Sequence, residues 1–221
     1  IFNPITFKNQ LMPFYKSVVI QRTITAYFWK IDEDFDTLFR LVALKDVSLA
    51  RLEQMKSESH QKGFLAVRML LQHLGYNDYD LYYDEFGKPH LNDNKCISIS
   101  HSHQFSCIAI SDQNIGIDLE ILKEKTLKIA SRYMDVKHLE NLPTDQQLIK
   151  ATIVWGIKEC VFKIKNQIGI SFLDHIFEAP FAIEDKKVNV DLHFNNQIEL
   201  FTIDFDFIED YIFVCASQPT E

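Results

Sequence analysis

The chain has 221 residues, 47% of them hydrophobic and 24% charged, which is the composition of a globular protein that can bury a core. Its 23 basic and 31 acidic side chains give a net charge of −8, which disfavours nucleic acid as the main ligand. The longest apolar run, residues 211–216, is far shorter than the roughly 20 residues of a membrane-spanning helix, so we expect no membrane partner.

The N-terminal part of the chain contains one strand pattern and one helix pattern. The first twenty residues lack the apolar core of a secretory signal, so we expect a cytoplasmic protein. Residues 20–31 are rich in β-branched and aromatic side chains, which predicts one strand. In residues 62–74 apolar side chains recur every three or four positions, which predicts an amphipathic helix that carries Arg68 and ends at Gly75.

The middle of the chain reads as a turn followed by three strands. Residues 84–89 contain Gly and Pro within three positions and predict a turn that carries Lys88. The segments 96–100, 105–111 and 115–120 are strand-like and are separated by short polar connectors. This pattern predicts an antiparallel meander.

The second half of the chain combines helix and strand patterns. Residues 123–165 carry 9 basic and 5 acidic side chains, whereas residues 166–221 carry 2 and 11, so the central zone is suited to a compact anion such as a phosphate. The predicted elements are short helices at 127–133 and 136–142, a long helix at 145–165, and strands at 188–192, 199–206 and 211–217.

These elements together predict the α+β class. A weak internal echo relates residues 104–112 to residues 210–218, which agree in length and in hydrophobic pattern. Two generic buried strands explain this echo at least as well as a duplication. No Pro-, Gly- or Ser-rich linker divides the chain, so we expect one compact body.

Two carboxylates in the third strand of the meander form a candidate cation site. Asp118 and Glu120 are two positions apart, so a strand places them on one face while the alternate apolar residues pack on the other. Such a pair is tolerated on a solvated face, which is the commoner case, or around Mg²⁺, which prefers oxygen ligands.

The long helix carries charged side chains where apolar ones are expected. With about 100° per residue, Glu159 and Lys163 fall between two apolar arcs of the helix. Two interpretations remain open: an internal i,i+4 pair, or a polar site between two layers. Lys158 falls opposite the apolar stripe and is predicted to be exposed to solvent.

Hydroxyl and imidazole groups alternate where the first strand of the meander ends. Ser100 and His101 offer hydrogen-bond donors to a phosphate, although a surface or core position is the usual one for a histidine. His101 and His103 are also compatible with a metal pair, but no nearby cysteine or third histidine completes a zinc site.

Four short motifs follow one another in the chain. They are Gly87-Lys88-Pro89, Ser98-Ile99-Ser100-His101-Ser102, Gly116-Ile117-Asp118-Leu119-Glu120 and Trp155-x-x-Lys158-Glu159-x-x-x-Lys163. In this order and spacing, over about residues 48–178, they resemble the 4'-phosphopantetheinyl transferases of the surfactin-synthetase type. A chain of 221 residues corresponds to the pseudo-dimeric branch of the family and not to the shorter trimeric type.

The resemblance implies a fold of two similar α+β lobes, each with a small antiparallel sheet packed on a long helix. The lobes would span residues 1–113 and 114–221, with the active site at their interface. A chain that builds its site internally in this way is expected to be a monomer.

The resemblance also implies a reaction, in which the phosphopantetheine arm of coenzyme A is transferred to a serine of an acyl or peptidyl carrier protein and 3',5'-ADP is released. Asp118, Glu120 and Glu159 would hold Mg²⁺ against the CoA pyrophosphate. Glu159 would take the serine proton, and Lys163 would stabilise the departing phosphate.

Further residues are implied to bind coenzyme A. Ser100 and His101 match positions that meet the nucleotide phosphates, and Lys88 matches a loop lysine that closes over CoA. Lys158 fits the motif as a phosphate contact. Arg68 resembles an arginine that contacts the CoA 3'-phosphate, with the alternatives Arg51, Lys56 and Lys62.

Two other functions remain open at this point. The first is a non-catalytic protein that binds CoA or a carrier on the same scaffold, although the presence of all three carboxylates argues against it. The second is a Mg²⁺-dependent phosphohydrolase, which would release phosphate without any carrier protein.

Overall fold

A computed structural model describes residues 14–219 of the chain. None of the helices in this range has the length and apolar character that a membrane crossing requires. The helices are α1 (Phe35–Leu41), α2 (Asp46–Glu53), α3 (Glu58–His73), α4 (Glu124–Lys128), α5 (Thr144–Lys165) and α6 (Phe172–His175). The strands are β1 (Phe14–Gln21), β2 (Ile24–Lys30), β3 (Leu81–Tyr83), β4 (Pro89–Leu91), β5 (Cys96–Ser102), β6 (Phe105–Ser111), β7 (Ile115–Ile121), β8 (Ile176–Glu178), β9 (Lys187–Phe194), β10 (Gln197–Ile208) and β11 (Tyr211–Ser217).

The N-terminal sheet has the strand order β1-β2-β6-β5, and all of its pairings are antiparallel. The prediction of a single strand at 20–31 is wrong, because Arg22 and Thr23 form a two-residue turn and the chain doubles back as the β1–β2 hairpin. The N-terminal end of the first lobe predicted above, residues 1–13, lies outside the described residues.

Helix α3 packs between this sheet and α1 and forms the core of the N-terminal half. The predicted helix at 62–74 is confirmed, although it begins four residues earlier, at Glu58. Residues 63–71 are all buried, so this helix is enclosed on every side. Gly75 follows it with φ +85, the left-handed conformation that commonly ends a helix.

The turn predicted at 84–89 joins the short strands β3 and β4, which form a two-stranded sheet of their own. The side chain of Asp84 accepts hydrogen bonds from the backbone N–H groups of Phe86 and Lys88, at 3.0 and 2.9 Å. Gly87 has φ +83, which a side-chain-bearing residue rarely adopts. The turn is therefore fixed locally and presents Lys88 in a defined direction.

The C-terminal sheet has the strand order β7-β11-β10-β9-β8, again with antiparallel pairings, and α5 packs on it. The predicted long helix and the three predicted C-terminal strands are confirmed. The two short helices predicted at 127–133 and 136–142 are confirmed only in part. The chain forms α4 and two short 3₁₀ helices, Ala130–Arg132 and Val136–Leu139.

The predicted meander is wrong at its third strand, because β7 leaves β6 and pairs with β11 in the other sheet. Every second residue of β5 is a serine whose hydroxyl accepts a hydrogen bond from a backbone N–H group of β7. These bonds connect the two sheets. The pairs are Ser98 with Ile117 at 2.9 Å, Ser100 with Leu119 at 3.1 Å, and Ser102 with Ile121 at 3.4 Å.

Two glycines let α5 approach the C-terminal sheet closely. A Cβ atom on Gly116 of β7 would lie 2.1 Å from the backbone oxygen of Cys160. A Cβ atom on Gly156 of α5 would lie 2.6 Å from Cγ2 of Val214. The small residues at these two positions therefore let α5 lie directly on β7.

The fold class is confirmed as α+β with two lobes, each an antiparallel sheet packed on a long helix. The two halves of the internal echo correspond to β6 and β11. Each of these strands pairs with the strand that precedes it and with one from elsewhere in the chain. The division of the chain at residue 113 stays a prediction.

Candidate active site

A cavity of about 540 Å³ lies between the two sheets and is walled by α3, β5, β7 and α5. Eight of the nine residues predicted for the site line this cavity, although they come from both halves of the chain. They are Arg68, Lys88, Ser100, His101, Asp118, Glu120, Glu159 and Lys163. Its apolar walls include Ile97, Ile99, Trp155 and Phe162.

Asp118 lies at the floor of the cavity and is 4% exposed. Its Oδ1 atom accepts hydrogen bonds from the Ser100 hydroxyl at 3.0 Å and from the Lys163 ammonium at 2.8 Å. Its Oδ2 atom is buried without a hydrogen-bond partner. A buried carboxylate oxygen normally has a partner, so this atom is suited to accept a cation or a hydrogen-bond donor.

Glu120 and Glu159 face the same cavity, where the negatively charged form of each carboxyl group is disfavoured. Burial, reinforced by the charge of Asp118, raises the pKa of Glu120 from 4.5 to about 7. The same two causes raise the pKa of Glu159. Three carboxylates thus meet in one partly buried space, where a positive charge would stabilise all of them together.

Lys163 supplies part of that positive charge from α5. Its ammonium donates to the backbone carbonyl of Ile117 and to Asp118, each at 2.8 Å. Burial by itself lowers the pKa of Lys163, but Asp118 and the other neighbouring groups together outweigh this effect, so the pKa lies above its usual value. The amine is therefore charged and is held beside the carboxylates.

The donor set fits a divalent cation that prefers oxygen ligands. Within residues 14–219, no three His, Cys, Asp or Glu side chains already stand in the arrangement of a metal-binding group. The Lys163 ammonium is the counter-charge of Asp118 here, while the second oxygen of that carboxylate stays unpaired. All-oxygen donors of this kind suit Mg²⁺ more than zinc.

His101 lies beside α3, where the absence of a side chain on Gly63 makes room for its ring. A Cβ atom on Gly63 would lie 3.3 Å from Cγ of His101. Burial lowers the pKa of His101, and the nearby His60, Lys163 and Arg51 lower it further. A neutral imidazole among cationic groups is suited to donate a hydrogen bond to an anion.

Ser100 lines the cavity, but its hydroxyl is already engaged. It donates to Asp118 and accepts from the backbone N–H of Leu119, as described above. This arrangement makes Ser100 a residue that orients Asp118. Its phosphate contact, implied by the resemblance, stays a prediction.

Arg68 and Arg51 both line the cavity, but they differ in how free their charge is. Arg68 is 3% exposed, pairs with Asp78 at 3.0 Å and lies 3.4 Å from the centre of the Phe64 ring. Arg51 is exposed and lies over the ring of Tyr83, at 4.7 Å from its centre. Arg51, which is only an alternative to Arg68 on the sequence alone, is the more available of the two for an incoming anion.

Lys88 connects the turn of the N-terminal half to the end of α5. Its ammonium donates to the backbone carbonyl of Ile164 at 2.8 Å, and the side-chain amide of Asn166 donates to the carbonyl of Phe86 at 3.5 Å. Burial lowers the pKa of Lys88. The lysine is therefore held at the cavity edge with a carbonyl that an anion can replace.

Lys158 is the one predicted site residue that does not line the cavity. The prediction that it is exposed is wrong, because it is 1% exposed, and its assignment as a CoA contact has no support in the geometry. Its ammonium lies 2.6 Å from Oε2 of Glu178, a buried residue of β8. The helical periodicity misplaced it because a lysine paired inside the protein has no distinct hydropathy pattern.

Comparison with known proteins finds relatives of one kind. No protein-family model matches the chain. A 4'-phosphopantetheinyl transferase of Bacillus subtilis is 29% identical over 141 residues, which are 61% of this chain and 62% of that protein. The 4'-phosphopantetheinyl transferase ffp of the same organism is 27% identical over 200 residues, which are 85% of this chain and 87% of that protein. The 4'-phosphopantetheinyl transferase Sfp of Bacillus subtilis strain 168 is 27% identical over 177 residues, which are 74% of this chain and 77% of that protein.

Proposed function

Because the chain belongs to the 4'-phosphopantetheinyl transferase superfamily, we propose that it transfers the phosphopantetheine arm of coenzyme A to a serine of a carrier protein. The other product is 3',5'-ADP. The observation that carries the proposal is the meeting of Asp118, Glu120, Glu159 and Lys163, from β7 and α5, in one cavity between the sheets.

The reaction is a displacement at phosphorus. The serine oxygen forms a bond to the phosphorus that carries the pantetheine arm, and the bond from that phosphorus to the oxygen bridging the pyrophosphate breaks. The leaving group is 3',5'-ADP, and the serine proton passes to Glu159, directly or through a water. Reactions of this type depend on positioning and on charge neutralisation more than on covalent catalysis.

Three carboxylates would hold Mg²⁺ in this site. Asp118 offers its unpaired oxygen, and Glu120 and Glu159 face the same space. The ion, when bound, would neutralise charge on the pyrophosphate oxygens. A carboxylate bound to a cation stays ionised, so Glu159 would be a weak base that depends on its position more than on its basicity.

Basic groups around the cavity would hold the nucleotide part of coenzyme A. Lys163 would stabilise the phosphate that departs, and Lys88 would exchange its carbonyl partner for a phosphate oxygen. His101 would donate to a nucleotide phosphate. Arg51 would meet the 3'-phosphate, with Arg68 behind it fixed by its pairing with Asp78.

A carrier protein is the second substrate that we propose. The last quarter of the chain, residues 166–221, is acidic and would repel an acidic carrier, so docking would use the exposed basic side chains that precede α5. These include Lys125, Arg132 and Lys137. The monomeric state, the cytoplasmic location and the lobe boundary at residue 113 stay predictions that accompany this proposal.

Mass spectrometry of apo carrier proteins tests the proposed function. After incubation with the protein, coenzyme A and Mg²⁺, we expect a carrier to gain the mass of one phosphopantetheine arm. The gain should vanish when the carrier serine is replaced by alanine or when EDTA removes the cation.

Two results would contradict the proposal. Hydrolysis of coenzyme A or nucleotides without any carrier would instead identify a phosphohydrolase. Binding of coenzyme A by calorimetry, with no product on any carrier of fatty-acid, polyketide or peptide synthesis, would indicate a binding protein.

A further inference from the structure

The buried ion pair between Lys158 of α5 and Glu178 of β8 has no part in the reaction described above. The side chains are 2% and 4% exposed, and the ammonium lies 2.6 Å from Oε2 of Glu178. The same ammonium donates to the backbone carbonyl of Ile176. The other carboxylate oxygen, Oε1, lies 3.1 Å from Nδ1 of His138, so both oxygens of Glu178 are held.

Such a pair is not explained by stability alone. The desolvation of two buried charges often outweighs their attraction, and apolar residues of the same size stabilise a core at least as well. The best-attested role of a buried polar pair is to select one arrangement of packed elements over its neighbours.

The pair fixes one of two points at which α5 is tied to the edges of its sheet. Lys158 bonds to β8, the edge strand at one end of the order β7-β11-β10-β9-β8. Lys163 bonds to Ile117 and Asp118 of β7, the edge strand at the other end. The two lysines lie five positions apart, which is about 140° around the helix. A helix held in this way at both edges cannot rotate without breaking one of the contacts.

Rotation of α5 would move Glu159, the carboxylate that we propose takes the proton of the carrier serine. Glu159 follows Lys158 by one position and precedes Lys163 by four, so it lies about 40° from Lys163 around the helix. At a side-chain radius of about 5–6 Å, a rotation of about 10° moves a carboxylate by about 1 Å. A displacement of that size in a catalytic group lowers rates by on the order of a hundredfold.

We propose that Lys158 and Glu178 are positioning residues that set the rotation of α5, and thereby the place of Glu159 in the cavity, without touching coenzyme A. The inference rests on the proposed function for its kinetic consequence. Its structural consequence, the orientation of α5, does not depend on that function.

A double-mutant cycle with two readouts tests the proposal. The variants are Lys158→Met, Glu178→Gln and the double variant, with the exposed pair Lys186 and Asp206 changed in the same way as a matched control. The first readout separates kcat from KM for coenzyme A. The second is the fluorine spectrum of protein that contains 5-fluorotryptophan.

Fluorine labelling suits this chain because it has two tryptophans, one in each lobe. Trp155 lies on α5 and packs against the rings of Tyr133 and Phe172, with ring centres 5.1 and 5.7 Å apart. Rotation of α5 would change these ring contacts and shift the Trp155 resonance. Trp29 is buried in the N-terminal core and serves as the internal reference.

We expect each single variant to lower kcat by about tenfold or more and to leave the KM for coenzyme A within about twofold. The two effects should be non-additive, and the Trp155 resonance should move while that of Trp29 stays. The Lys186 and Asp206 variants should change neither readout. If the single variants prove too unstable to assay, Glu178→Asp, which keeps the charge but shortens its reach, is expected to give the same pattern.

Three results would overturn the proposal. A raised KM for coenzyme A in Lys158→Met but not in Glu178→Gln would make Lys158 a substrate contact. A lowered melting temperature with unchanged kcat would make the pair merely structural. An unmoved Trp155 resonance would show that the pair does not set the helix. If the unsubstituted protein transfers nothing, the proposed function fails, and the fluorine spectra alone decide this inference.

Discussion

Replacing Glu159 with glutamine is expected to lower kcat for transfer to a carrier by on the order of 10²–10⁴-fold. The substitution keeps the size of the side chain but removes both the proposed proton acceptor and one of the three carboxylates. Because burial and the charge of Asp118 already raise the pKa of Glu159, its neutral replacement relieves strain and should leave the melting temperature unchanged or raised. Steady-state kinetics and thermal unfolding of the same preparation measure both effects.

The matched control for this experiment is Glu184→Gln, an exposed glutamate that lies outside both the cavity and the basic segment before α5. It should leave the turnover unchanged. A Glu159→Gln variant that keeps its turnover within about twofold would remove Glu159 from the chemistry, since loss of a general base costs at least on the order of a hundredfold.

Replacing Gly116 with alanine is expected to destabilise the protein by about 3 kcal/mol or more, beyond the usual range for overpacking. The new Cβ atom would lie 2.1 Å from the backbone oxygen of Cys160, and the backbone of a central helix turn cannot move aside as a side chain can. The helix would have to lift from β7, which would also disperse the carboxylates of the cavity. Chemical denaturation gives the change in the free energy of unfolding.

Gly156→Ala provides a graded comparison, because its Cβ atom would meet the end of a side chain, Cγ2 of Val214, at 2.6 Å. A smaller loss of stability is expected there, since Val214 can shift. Equal stability of Gly116→Ala and the unsubstituted protein would contradict the close packing of α5 on β7.

The sequence predicted most of the regular structure because its periodic segments agree with the fold. The helices that carry Arg68 and Glu159 and the strands around the Ser100 and Asp118 motifs all lie where the patterns placed them. The sheet that β7 joins was not predictable, because the pairing of a strand depends on contacts with residues that are distant in the sequence. Here those contacts are serine hydroxyls of β5 and the backbone of β11.

The candidate site was predictable as a set of residues but not as a set of contacts. The order of the motifs predicted that Asp118, Glu120 and Glu159 lie close together, and the three residues line one cavity. The partners of the basic residues were hidden, because nothing near Lys158 or Arg68 in the sequence marks Glu178 or Asp78 as the matching acid. An ion pair between distant segments leaves no local pattern, so only the fold distinguishes a buried lysine from a solvated one.

Binding of Mn²⁺, measured by electron paramagnetic resonance, tests most directly whether Asp118, Glu120 and Glu159 share one divalent cation. In the presence of coenzyme A, we expect one Mn²⁺ per chain. Asp118→Asn, Glu120→Gln and Glu159→Gln should each weaken that binding by about tenfold or more, since even outer-shell changes cost 10–100-fold. The Glu184→Gln control should bind as the unsubstituted protein does. Unchanged Mn²⁺ affinity in all three carboxylate variants would contradict the account.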